Sequence, residues 1–352
     1  MEKILALNPG ATSTKIAVFD GDQVLLKTMV EHQGSSLDGF ARVIDQLDYR
    51  RDLILSALQE AGIALDELDA VVGRGGLLKP IPGGTYAVNA ALLADLGKGR
   101  EHASNLGGVL ADSLAGPLGI PAFIVDPVSV DEMEPEARLS GLPELPRNSF
   151  SHALNSKAVA RRAAKEMGGT YADFNFVVAH LGTGVSITAH RKGRMVDVSG
   201  ADEEGPFSPA RAAGLPSMLL AKLCYSGKYT EKQMLDLLVG SGGLYAHLGT
   251  RDVREAERRA QDGDAQAAIV MKAMAYRIAR EIGAMAAVLA GRVDRVLITG
   301  GIAYSERLVA DVSARVAFIA PILVMPGEEE LEALAEGALR VLRREEPAKV
   351  YA

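Results

Sequence analysis

Apolar positions divide this chain into two kinds of segment. Short runs rich in Val, Ile, Leu and Phe end at Gly, Pro or Asp, and longer runs repeat apolar residues every three or four positions. The first pattern predicts strands and the second predicts helices with one buried face. Strands are expected over 4–8, 15–20, 24–31, 70–72, 122–126, 176–180, 185–190, 195–198, 295–299 and 322–325. Helices are expected over 37–61, 90–96, 106–118, 152–167, 217–225, 231–239, 264–290, 305–317 and 328–344. Their alternation is the pattern of an α/β fold. The apolar stretch 282–290 is broken by glycine and flanked by arginines, so it reads as a buried helix rather than a membrane span. The proline-rich, acidic stretch 132–146 is the best linker or boundary candidate.

The pattern also repeats. LALNPGATSTKIAVFDGDQVLLK in the first half matches VVAHLGTGVSITAHRKGRMVDVS in the second. Each reads as a strand, a polar residue, a glycine two positions on, a second strand, and a glycine turn into a third strand. Asn8 and Gly21 are 13 positions apart, as are His180 and Gly193. Two domains of one ancestry, each presenting such a hairpin, could grip a nucleotide from both sides.

Composition narrows the picture. A chain of 352 residues favours two domains. A net charge of −7 offers no basic face for nucleic acid or an anionic membrane, so neither is expected as a partner. Cys224 is the one cysteine, which rules out an internal disulfide and a cysteine metal site and suits the cytoplasm. The N-terminal apolar run is too short for a signal peptide.

Several stretches carry candidate chemistry. Residues 8–15 lack the second glycine of a P-loop and lead into a strand, not a helix. There Gly10 lets the backbone turn, Thr12 and Ser13 donate hydrogen bonds, and Lys15 supplies charge. Gly182 and Gly184, around Thr183, would turn backbone N–H groups toward phosphate oxygens. Gly300 and Gly301, before Ile302, sit where a strand meets a helix and admit close approach of adenosine or phosphate. Arg74 and Arg211 lie among glycines and prolines, displayed on loops. Asp126 ends a strand, where α/β sites form, and could bind Mg²⁺ or act as a base. Each has a plainer reading: a polar turn, a glycine bulge, tight packing, a surface arginine, an Asx turn. His152 reads equally as a helix-cap residue, and the acidic run 328–330 as a charged first helical turn.

Taken together, NPGATSTK, VVGRGGLLKPIPGGTYAVN, IVDPVSVDEM, HLGTGVS, GPFSPARAAGLP and TGGIAYSE resemble the butyrate and branched-chain fatty-acid kinases of the acetokinase family. That family lies within the actin-like ATPase superfamily, which also holds sugar kinases. The resemblance covers essentially the whole chain. It implies two ribonuclease-H-like domains with a cleft between them: 1–130 with a returning 331–352, and a nucleotide-binding, dimerising 131–330. It implies ATP/ADP and Mg²⁺ as cofactors, a homodimer or higher homo-oligomer, and transfer of phosphoryl from ATP to a short carboxylate, most simply butyrate.

Site residues follow from the same resemblance. Asn8, Ser13 and Lys15 match residues near phosphate and metal. Asp126 matches the essential carboxylate, and Glu329 a second one near Mg²⁺. Arg74 and Arg211 match the arginines that hold the carboxylate and the moving phosphoryl, and His152 and His180 match histidines that stabilise it. Gly182, Gly184, Gly300 and Gly301 match nucleotide-cradling glycines. Ala103, Ser151 and Pro209 are expected to line the acyl pocket. Acetate kinases carry Leu and Phe at the positions of Ala103 and Ser151, so the smaller residues favour a longer acid. The chain departs from the family at Ala11, where serine is usual, at the flanks of Arg74, and at Tyr304, where acetate kinases have Glu.

Elementary chemistry fits this reading. A carboxylate has a pKa near 4 and is already a nucleophile at neutral pH, so it needs charge neutralisation rather than a base. Two other readings stand beside it. In a sugar kinase of the same superfamily, Asp126 would act as base; a non-catalytic nucleotide clamp would hydrolyse ATP slowly.

Overall fold

The computed structural model describes residues 2–32, 34–98 and 101–352. The first strands are β1 (Lys3–Pro9), β2 (Ser13–Asp20) and β3 (Gln23–Glu31). After them come α1 (Gly34–Leu37), α2 (Leu47–Glu60), β4 (Ala70–Arg74), β5 (Thr85–Ala87), α3 (Ala90–Lys98), α4 (Asn105–Ala115) and β6 (Ala122–Val125). Next are α5 (Ala153–Glu166), β7 (Asn175–Leu181), β8 (Val185–Arg191) and β9 (Arg194–Ser199). Five helices follow: α6 (Ser217–Cys224), α7 (Glu231–Val239), α8 (Gly243–Leu248), α9 (Val253–Gln261) and α10 (Ala265–Val288). The chain closes with β10 (Arg295–Gly300), α11 (Glu306–Val316), β11 (Ile322–Pro326), α12 (Glu330–Leu342) and β12 (Lys349–Val350). One compact unit runs to Val130 and resumes over Glu329–Ala352; the other is Asp131–Glu328.

Each unit is built on one sheet, and the sheets share a plan. The first has the order β12-β5-β6-β4-β1-β2-β3, the second β11-β10-β7-β8-β9. In both, an antiparallel three-strand meander continues into two parallel strands: β3-β2-β1-β4-β6 and β9-β8-β7-β10-β11. This is the ribonuclease-H-like order of actin-like ATPases, present twice. Central strands are apolar on both faces because helices cover both faces. Leu5, Leu7, Ile16, Val18 and Val71 pack with Ile54 and Leu58 of α2 and Leu106, Leu110 and Leu114 of α4. In the second unit one face of β7 meets α10, through Val270, Met274, Ile278 and Ile282. Its other face sends Phe176 and Val178 against α5. Fully burying such side chains contributes about 1.5–3 kcal/mol each. Among the described residues no helix is long and apolar enough to cross a membrane.

Departures from the sequence reading have local causes. Regular helix begins at Leu47, not at 37, because Asp45 accepts a hydrogen bond from the Arg42 N–H and a 3₁₀ turn over Val43–Gln46 intervenes. Strands β5 and β12 have three and two residues, too few to show alternation. Helix α9 has only a thin apolar stripe, Val253, Ala256 and Ala260, and two of its three members are alanine, so the signal is weak. The stretch 132–146 is no free linker: Arg138 pairs with Asp131, Lys157 with Glu132 at 2.6 Å, and the Glu134 N–H with the Val196 carbonyl. The two 13-residue spacings are equal by compensation. The first hairpin loop has four residues (10–13) and the second three (182–184). The next turn then places Gly21 first of two loop residues but Gly193 second, after Lys192.

Candidate active site

In the first unit the parallel strands end in a polar row. Asn8 is the last residue but one of β1, Arg74 closes β4, and Asp126 follows β6. Adjacent registers place Leu7 beside Gly73 and Arg74 beside Val125, so the three residues fall together at one edge. Arg74 lies 3.3 Å from the Asn8 Oδ1 and 3.1 Å from Glu330 Oε1, and the Asn8 amide donates to Glu330. Glu330 opens α12. The sequence reading chose its neighbour Glu329 and missed Glu330. Three successive glutamates offer no signal for which one faces the strand ends.

Asp126 is 1 % exposed and takes φ of +36°. Its Oδ1 accepts the Gly84 N–H at 2.6 Å, and its own N–H donates to the Gly84 carbonyl at 3.0 Å. A positive φ costs of order 1–3 kcal/mol in a residue other than glycine, less for Asp. The reciprocal pair with Gly84 holds it there. Lys349 of β12 donates to the Gly83 carbonyl and braces that turn.

Asn8 and Lys15 are directly paired across β1 and β2, so with Ser13 they share one sheet face. Lys15 is exposed, while Thr14 points inward. Gly10 donates to the Ser13 carbonyl at 2.7 Å, closing the loop, and Ala11 and Thr12 form its exposed tip. Beneath it lie Arg50 and His32, which the sequence reading did not single out. The His32 Nε2 sits 3.0 Å from the Thr14 hydroxyl. Burial, then the Arg50 charge, press the His32 pKa down to about 4.

In the second unit β7 ends at an imidazole pair. His152 and His180 stack with centroids 3.8 Å apart and planes 11° from parallel. His152 Nδ1 is 2.9 Å from the Ser186 hydroxyl, cross-strand from His180. His180 is 1 % exposed, and neither ring nitrogen has an aligned hydrogen bond, although Nε2 lies 3.2 Å from Glu328 Oε1. Buried polar atoms left open in this way mark a place where a ligand can bind. The loop 182–184 joins this pair to Arg211. A Cβ on Gly184 would lie 2.2 Å from Arg211 Nη1, so the guanidinium occupies the space that glycine leaves. Arg211 pairs with Asp202 at 2.8 Å. Ser208, also missed, ties the two together: its hydroxyl donates to the Thr183 carbonyl at 2.6 Å and accepts from the Arg211 N–H at 3.3 Å. The sequence signal was its place three residues before Arg211.

The remaining expected residues separate. Gly300 takes φ of +93°, and a Cβ there would meet the Leu181 carbonyl at 2.3 Å, so chain packing demands this glycine. Gly301 faces open space and starts a 3₁₀ turn with Ile302. Ser151 is buried with its hydroxyl 3.7 Å from Met195 Sδ, and the Pro209 carbonyl accepts the Tyr245 N–H. Ala103 belongs to the first unit, Ser151 and Pro209 to the second.

No group of three or more His, Cys, Asp or Glu gathers as a metal site among the described residues. Mg²⁺ does not ask for one. It keeps several waters and is typically held by one or two carboxylates plus substrate phosphate, which fits Asp126 and the acidic start of α12.

The doubled sheet is the two-domain α/β fold of actin-like proteins. The acetokinase family model matches residues 146–323, just over half of the chain, and the chain belongs to the acetokinase family. It is thereby a phosphotransferase, a carboxylate kinase that uses ATP. Solved structures agree on the fold. The chain is 22 % identical to the acetate kinase of Porphyromonas gingivalis, with TM-score 0.80 over 96 % of this chain and 99 % of that one. It is 19 % identical to the propionate kinase of Francisella tularensis, with TM-score 0.77 over the same shares. With the ROK hexokinase of Thermus thermophilus it shares 18 % identity and a TM-score of 0.50, over 96 % of this chain and 99 % of that chain.

Proposed function

We propose that the chain catalyses reversible phosphoryl transfer from ATP to a four- or five-carbon carboxylate, with butyrate preferred. The observation that carries the chemistry is the stacked His152–His180 pair beside Arg211, with neither His180 ring nitrogen in an aligned hydrogen bond. Phosphoryl transfer to a carboxylate brings negative charge together, and its barrier falls by positioning and neutralisation. His152, His180 and Arg211 stabilise the moving phosphoryl. Arg74 holds the carboxylate of the acid, and Asn8, Ser13 and Lys15 hold phosphate. Gly182, Thr183, Gly184, Gly301 and Ile302 border the nucleotide. Asp126, with Glu329 or Glu330, would hold Mg²⁺, which would neutralise phosphate charge.

Chain-length preference rests on Ser151, a small buried residue directly before His152. One methylene in an apolar pocket changes discrimination by about 1–3 kcal/mol, so the preference is graded. The test is acyl-phosphate formation trapped with hydroxylamine across straight and branched C2–C6 acids. A maximum at C4 or C5 is expected. A maximum at acetate keeps the reaction and removes the size argument; no hydroxamate with any acid, alongside phosphorylation of a sugar, removes the reading. Ser151→Phe should move the butyrate-to-acetate efficiency ratio toward acetate by about ten-fold, and an unchanged ratio sinks the pocket assignment.

We also infer a homo-oligomer. Helix α6 buries none of its side chains within the chain although it reads SMLLAKLC, with Met218 at 74 % and neighbouring Tyr225 at 93 % exposure. Such an apolar face suits a second copy. The lone, exposed Cys224 is consistent with a cytoplasmic protein.

A further inference from the structure

Arg50 is 1 % exposed, and its guanidinium fills the space beneath the loop 10–13. It donates to the Gly10 carbonyl at 2.9 Å, the Ala11 carbonyl at 3.5 Å, the Thr14 hydroxyl at 3.1 Å and twice to Gln46 Oε1, at 2.8 and 3.0 Å. All of these acceptors are neutral, and no carboxylate pairs with Arg50 among the described residues. The ionisable neighbours of this cluster, Tyr49 and His32, are not carboxylates. Arginine cannot shed its proton, so a full positive charge stays buried without a counter-ion. Its hydrogen bonds also orient the loop. A trans peptide points C=O and N–H in opposite directions. With the Gly10 and Ala11 carbonyls drawn inward, the Ala11 and Thr12 N–H groups turn to the exposed side.

We propose that Arg50 is a positioning residue for an anion at the loop 10–13: it aims two backbone N–H groups outward, and the ligand's phosphate supplies the counter-charge that the fold omits. This rests on the proposed function, which places phosphate at this hairpin. It predicts that a counter-charge built into the protein competes with the ligand. Gln46→Glu is nearly isosteric, keeps the acceptor oxygen for Arg50 and adds the missing charge.

The test is ATP affinity by isothermal titration calorimetry, with the thermal midpoint measured alongside. Gln46→Glu should raise the midpoint and weaken ATP binding about ten-fold, within the usual span of coupling between two sites. Arg50→Gln should weaken ATP binding at least as much, and Arg50→Lys should recover most of the loss by restoring charge. Unchanged ATP affinity in a folded Gln46→Glu protein overturns the proposal, even if the Arg50 variants fail to fold. Equal losses in Arg50→Lys and Arg50→Gln also overturn it, since they would reduce Arg50 to a shape-filling brace. Absence of ATP binding in the unmodified protein removes the proposed function and this inference together.

Discussion

The ends of β1 and β7 occupy the same place in two copies of one topology, yet their chemistry is opposite. At β1 the polar groups are already satisfied: Asn8, Arg74 and Glu330 hold one another, and Asp126 is locked by Gly84. At β7 neither ring nitrogen of the stacked His180 makes an aligned hydrogen bond, although Glu328 Oε1 lies 3.2 Å from Nε2, and the next loop is glycine on both sides of Thr183. One topology thus supplies a pre-paired charged row in one unit and an open imidazole-and-glycine row in the other. Strand order fixes where the residues stand; the loop that follows each strand decides what they can do.

The largest test of that contrast is Arg211→Ala. An arginine aimed at a transferring phosphoryl is worth about 10³–10⁵ in rate. A fall in kcat of at least about 10³ is expected, with KM for the acid changed far less. A loss below ten-fold would move the open row out of the chemistry.

Next come the glycines. Gly184→Ala drives a methyl into Arg211 Nη1 and should misplace that guanidinium, lowering kcat by about 10²-fold. In Gly10→Ala the new methyl lies 3.3 Å from the Ser13 carbonyl and 3.9 Å from the Ser13 hydroxyl, a contact that small shifts relieve, so a change within about three-fold is expected. Steady-state rates of both variants check this. Equal losses would mean that the hairpin loops work alike and that the contrast is only in their neighbours.

How much of this was legible in the sequence follows the same division. The hairpins were visible because short apolar runs and the glycine turns that end them are local signals. Arg211 and His180 stood out by the glycines and prolines around them, whereas His152 has no such setting and was singled out only by the family resemblance. Arg50 was not: it lies inside α2, spaced like any helical arginine, and only folding brings it beneath a loop 40 residues earlier. Glu330 was hidden by its two identical neighbours. Strand β12 was hidden by its length, although its Lys349 braces the turn that holds Asp126. Long-range partners leave no periodicity at either end.

The smallest effect separates the anchors of the two loops. The second loop is held by the Ser208 hydroxyl, which does not titrate. The first rests on Thr14, whose hydroxyl meets His32 and Arg50. The His32 pKa falls from 6.5 to about 4 on folding, because burial and the Arg50 charge disfavour the imidazolium. Between those values the unfolded chain takes up a proton that the folded chain refuses. Stability therefore falls as pH drops from about 6.5 to about 4, by at most about 3 kcal/mol, and this group contributes no slope above or below that window. His32→Gln should lose the Thr14 contact, costing about 1 kcal/mol at pH 7.5, yet recover and overtake the unmodified protein near pH 4.5. Urea unfolding at the two pH values measures it. Stability curves that stay parallel would show that His32 is not the acid-sensitive support of the first loop.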